Sequence, residues 1–103
     1  MPQSHLNAAQ KQRMLFSRRL IAAVEILDVR ASLTIVQREY NIRSNQPPIT
    51  SHAARKWLMG EAIPTQDRLQ VLADWLSVSP SWLRYGEDDI DGKKKARDMT
   101  AQE

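Results

Sequence analysis

An all-α fold is what this sequence predicts, and three observations carry the prediction. Apolar residues recur at spacings of three and four, as in Phe16, Leu20, Val24 and Leu27 and again in Leu69, Leu72, Ala73 and Leu76, so each set forms one stripe of a helix. Residues that start and stop helices flank these stripes, Ser32, Thr65 and the Ser79-Pro80 pair before them and Gly60 and Gly86 after. The chain has 103 residues, 42% of them hydrophobic and 26% charged, which suits one packed domain rather than a disordered or fibrous chain.

Helix 1 covers residues 14–27 and can begin as early as Asn7, with Arg18, Arg19 and Glu25 off its apolar stripe. It stops before the short connection Val29-Arg30-Ala31. Ser32 is the expected N-cap of helix 2, because its hydroxyl can accept from the free N–H groups of the first turn. Leu33, Val36 and Tyr40 form the inner face of that helix. Residues 41–48 are polar, end in two prolines and lack periodicity, so they read as a loop.

Helix 3 follows over about residues 50–59, capped by Thr50 or Ser51 and closed by Gly60. Its inner residues are Ala54, Trp57 and Leu58, which leaves Ser51, His52, Arg55, Lys56 and Met59 outside. Thr65 caps helix 4, with Asp67 in the first turn, where the helix dipole favours an acid. Pro80 opens a short fifth helix through Tyr85, and Trp75, Val78, Trp82 and Leu83 close the base of the core. All three tryptophans, Trp57 included, fall on apolar helix faces and are expected in the core. Residues 1–86 form the expected domain, and residues 87–103, acidic and then lysine-rich, form a charged flexible tail.

Charge and composition narrow the function. Up to Gly60 there are nine basic residues, Lys11, Arg13, Arg18, Arg19, Arg30, Arg38, Arg43, Arg55 and Lys56, against three acids, Glu25, Asp28 and Glu39. Such a balance suits a polyanion partner through counterion release, or simply a basic solvated surface. The absence of cysteine removes disulfides, thiolate nucleophiles and Cys-ligated zinc. No apolar run reaches the roughly 20 residues of a membrane helix and no signal pattern opens the chain, so a cytoplasmic protein without a membrane partner is expected. His52 has only His5 for company and no carboxylates at ligand spacing, so neither a metal site nor another cofactor is expected. Serine, histidine and aspartate occur, but no motif brings them together as a catalytic site, and an enzyme is not expected.

The string ITSHAARKWLMGEAIP, residues 49–64, carries a family resemblance. It resembles the helix-turn-helix repressors of the phage-lambda type, also called the xenobiotic-response-element family. There an apolar residue, a polar turn, a small inner residue, an aromatic, and then Gly and Pro outline the recognition helix and its exit. LQVLADWLSVSPSWL, residues 69–83, is similar to that family's fourth and fifth helices, and the whole likeness spans about residues 18–86.

The resemblance implies a five-helix domain that binds double-stranded DNA as a homodimer and regulates transcription, most often as a repressor. It implies that Ser51, His52 and Lys56, with Arg55 beside them, read base edges in the major groove. Arg18, Arg19, Arg38, Arg43 and Thr50 are the candidates for phosphate contact, the helix 1 and 2 arginines having simple solvation as the alternative. Lys93 to Arg97 can be a DNA-contacting arm or a solvated tail. The other functional class on this fold is a protein-interaction module, such as an antitoxin that binds a toxin. Two departures from the family pattern stand out. The connection of residues 41–48 is several residues longer than the usual tight turn, and Gln37 occupies a position usually held by a small alanine. Gln37 must therefore tilt outward or hydrogen-bond within the core.

Overall fold

The structure, a computed structural model, describes residues 6–87. Apart from Glu87, the expected tail lies outside the described residues, as do its lysine-rich arm and His5. The described residues fold as five helices and no strand: α1 Ala8–Ile26, α2 Leu33–Arg43, α3 Ser51–Leu58, α4 Gln66–Leu76 and α5 Pro80–Tyr85. The predicted all-α fold is thus observed. α3 packs against both α1 and α2, α2 also meets α4, and α5 rests on α1 and α4.

Local chemistry sets the helix starts. Asn7 and Gln10 make a reciprocal capping box at α1, the Asn7 Oδ1 accepting from the Gln10 N–H at 2.8 Å and the Gln10 Oε1 accepting from the Asn7 N–H at 2.9 Å. The Ser32, Thr50 and Ser79 hydroxyls accept from Ile35, Ala53 and Trp82 N–H groups at 3.2, 3.1 and 2.9 Å. Thr65 occupies the cap position of α4, but its side chain makes no capping bond, so Asp67 in the first turn is the favourable group there.

Burial along the stripes makes one core. Phe16, Leu20 and Val24 of α1 meet Val36 and Tyr40 of α2, Ala54 and Trp57 of α3, Leu69, Leu72 and Leu76 of α4, and Leu83 of α5. Leu27, expected on the α1 stripe, is the C-cap and is exposed. Tyr40 and Trp57 meet edge to face, with ring centroids 5.7 Å apart. Of the three tryptophans expected in the core, Trp57 is buried, whereas Trp75 and Trp82 are only partly buried against it. The Trp75 ring carries the Arg43 guanidinium 5.7 Å from its centroid, so an amphipathic ring at the edge of the core serves a cation as well as apolar neighbours.

α2 corrects the expected loop of residues 41–48. The helix runs on through Arg43, and the connection occupies residues 44–50. Asn41, which reads as a turn residue, stays helical because its amide finds backbone partners in another segment, as described below. Arg43 adds an ion pair to Glu39 one turn back.

Candidate nucleic-acid interface

α3 owes its position to bonds at both ends. At the N-terminal end the Asn41 amide grips the backbone of Ile49 twice: Oδ1 accepts from the Ile49 N–H at 2.8 Å and Nδ2 donates to the Ile49 carbonyl at 3.3 Å. The Gln37 Nε2 donates to the same carbonyl at 3.2 Å. Of the two options open to Gln37, the structure takes the hydrogen bond. Ile49 itself is buried, so the residue just before the α3 cap is held by its side chain and its backbone together.

The C-terminal end is held by other means. The Ser17 hydroxyl, buried on α1, donates to the Leu58 carbonyl at 2.6 Å, one of the last-turn carbonyls that has no partner within the helix. Sequence reasoning missed Ser17, and its one signal was a small polar residue beside Phe16 on a helix that packs inward. Beyond Leu58 the chain closes as a Schellman motif, with Glu61 N–H donating to Lys56 O and Gly60 N–H to Trp57 O. Gly60 has φ +76°, and a Cβ there would stand 3.3 Å from the Met14 Cα, so glycine answers both the left-handed backbone and the close approach to α1.

Fixed in this way, α3 turns Ala54 and Trp57 inward and leaves Ser51, His52 and Arg55 exposed, with Lys56 half-buried. Among the described residues, none of these four side chains makes a hydrogen bond or ion pair, so their donors and charges are available to solvent or a ligand. Thr50 is exposed, but its hydroxyl is engaged as the helix cap. The outer face therefore gathers two cations, an imidazole and a hydroxyl within about two turns of a rigid helix, next to a helix N-terminus that favours anions.

The five residues expected at phosphates are not brought to one state. Arg18 is exposed and has no hydrogen-bond or ion-pair partner among the described residues. Arg19 is turned into the fold: Nε donates to the Leu83 carbonyl at 3.0 Å and Nη2 to the Arg84 carbonyl at 2.9 Å, which closes the end of α5. Burial, and then the nearby Arg84 charge, pull its pKa below the usual arginine range. Two of the Arg19 nitrogens are thus engaged within the fold, where they hold the end of α5. Arg38 lies 3.4 Å from the Glu39 carboxylate, and Arg43 pairs with that carboxylate and donates to the Glu39 carbonyl at 3.1 Å. The Arg43 hydrogen bond is the main cause that holds the Glu39 carboxyl below its ordinary range.

The chain is 33% identical over 81 residues to the 26 kDa repressor protein of Escherichia phage HK022. The match takes in 78% of this chain but 32% of the phage protein, so the chain spans about a third of the length of that relative. No family model matches the chain, and no solved structure matches it. What the sequence is demonstrably similar to is one part of a phage repressor.

Proposed function

We propose that this chain is a sequence-specific double-stranded DNA-binding protein that regulates transcription, as a repressor, by placing α3 in the major groove. The observation that carries the reading is the divided character of α3. Its inner face is locked by Trp57, Ala54 and the bonds at both ends, while the side chains of Ser51, His52, Arg55 and Lys56 make no hydrogen bond or ion pair among the described residues. Arg55 and Lys56 can donate to guanine O6 and N7, and Ser51 and His52 can donate or accept near the helix start. Thr50 and Arg18 lie to the phosphate side in this reading. The similarity to a phage repressor supports the same class of activity, and the family resemblance supports the lambda-type helix-turn-helix assignment, with residues 1–86 as the binding domain and residues 87–103 as a tail.

A homodimer would read two half-sites with two copies of α3. Ile26, Leu27 and Val29 are exposed together at the end of α1, and they favour some protein partner, either a second copy or, on the alternative reading, a toxin. The test is selection of bound duplexes from a random library, followed by salt titration on the selected site and on scrambled DNA. A selected motif bound more tightly than its scramble, with affinity falling steeply in salt, is the expected result. No binding at low salt, or equal binding to both DNAs, would overturn the proposal.

A further inference from the structure

The connection between α2 and α3 is long for two helices that must hold a fixed angle, and a flexible seven-residue link from Ser44 to Thr50 would by itself leave that angle loose. The backbone bonds to Ile49 change this. Asn41 presents a donor and an acceptor to one residue, as a neighbouring strand would, and Gln37, one helical turn earlier on the same face, adds a second donor to the Ile49 carbonyl. Three hydrogen bonds from two side chains of α2 therefore fix the backbone immediately before the Thr50 cap. The residues between, Asn45, Gln46, Pro47 and Pro48, are all exposed, and the hydrogen bond there is the local one from the Gln46 N–H to the Ser44 hydroxyl.

We propose that Gln37 and Asn41 are positioning residues for α3, a side-chain clamp that sets the approach of the outer face to DNA and makes it independent of the connecting segment. The clamp replaces the tight turn as the device that fixes the two helices. Residues 45–48 then form an outward excursion whose sequence does not matter for recognition. The inference rests on the DNA-binding reading of α3. A reading face must be held to within about 0.5 Å and 10–20° of its productive geometry, so loosening one end weakens base contacts more than phosphate contacts.

The experiment uses the full chain and three variants, each confirmed folded by circular dichroism at the assay temperature. Asn41→Ala removes two of the bonds. Asn41→Asp keeps the acceptor for the Ile49 N–H but sets a carboxylate oxygen against the Ile49 carbonyl. The third variant combines Asn45→Gly, Gln46→Ser, Pro47→Gly and Pro48→Ser. The readouts are the ratio of affinities for the selected site and its scramble, and amide hydrogen exchange and chemical shifts by NMR without DNA.

Asn41→Ala should cut the affinity ratio by about tenfold, equivalent to roughly 1.4 kcal/mol, with little change on scrambled DNA. Asn41→Asp should lower the ratio at least as far, because its carboxylate repels the Ile49 carbonyl, and the loop variant should keep the ratio within about twofold. In the NMR arm, Asn41→Ala should speed exchange of the Ile49 amide and shift α3 resonances while α4 and α5 stay put. A lower melting temperature with an unchanged ratio would reduce Asn41 to a stabilising residue and overturn the proposal. So would a loop variant that loses as much as Asn41→Ala. If the wild type shows no preference between the two DNAs, the DNA reading fails instead, and the NMR arm still decides whether the clamp orders α3.

Discussion

Arg43 and Arg55 are both exposed arginines, one on α2 and one on α3, yet only Arg43 is occupied. Arg43 binds the Glu39 carboxylate and lies over the Trp75 ring, while Arg55 has no partner among the described residues. The same contrast separates Arg19, which bonds to two α5 carbonyls, from its neighbour Arg18, whose side chain bonds to nothing among the described residues. Formal charge therefore overstates what the basic half of the chain can offer a polyanion. An arginine already paired must give up a bond to meet a phosphate, whereas an idle one gives up only water.

The comparison can be broken first at the buried face that makes the idle face possible. Trp57→Ala should destabilise the domain by about 3–5 kcal/mol, because a large aromatic is removed from the centre of the core and its edge-to-face partner Tyr40 is left beside a cavity. Thermal melting measures this, and an unchanged melting temperature would remove the argument that α3 has a locked inner face. Next come the paired and idle arginines themselves. Arg19→Ala should lower stability by about 1–3 kcal/mol, since it leaves the Leu83 and Arg84 carbonyls without their donor. Arg55→Ala should leave stability within about 0.5 kcal/mol and cost about 1–3 kcal/mol of binding to the selected site, less on scrambled DNA. Equal loss on both DNAs would show that Arg55 only attracts phosphate.

Finer effects sharpen the contrast. Arg18→Ala should reduce the salt slope of DNA binding by about one, and Arg43→Ala should leave it nearly unchanged because that charge is already neutralised by Glu39. Titrating affinity against salt for both variants checks the pair, and equal slopes would erase the distinction. The smallest effect is on pH. The Glu39 carboxyl is held below its ordinary range by Arg43, so the stability that it contributes is present above its unfolded pKa and is lost as pH falls through the lower, folded value. Melting curves of the wild type and Glu39→Gln should differ slightly at neutral pH and converge in strong acid. The pair is exposed, and a constant difference at every pH would assign the effect to packing instead.

The helices were legible because their signals are local. The Ser32 and Thr50 hydroxyls accept from N–H groups three residues on, and the stripes of α1 and α4 repeat within a turn. The division of α3 was legible for the same reason: one helix, read by its period, tells its inner residues from its outer ones. Arg19 was not legible. Its partners lie at the other end of the chain, and nothing near Arg19 in sequence announces two open carbonyls at the end of α5. Asn41 misled in an instructive way, since a residue that ordinarily competes with helices is kept in one by a backbone eight residues downstream. Gln37 marked itself as an exception on an inner face, but which of its two options it takes depends on where Ile49 comes to rest.

The Arg19 bonds to the end of α5 carry a mechanical consequence. A helix of six residues at the end of the described chain would ordinarily fray from the bundle, because its terminal carbonyls have no intrahelical donors. Here they are latched to the longest helix of the described residues, and Gly86 turns the chain at φ +75°, where a Cβ would come within 2.7 Å of the Arg19 guanidinium and push it from its place. The end of α5 is therefore a fixed anchorage on α1 rather than a loose end. Loosening that latch would act on α1, and α1 is the helix that holds the end of α3 through Ser17, so a change at the end of α5 has a bonded route to the far end of α3.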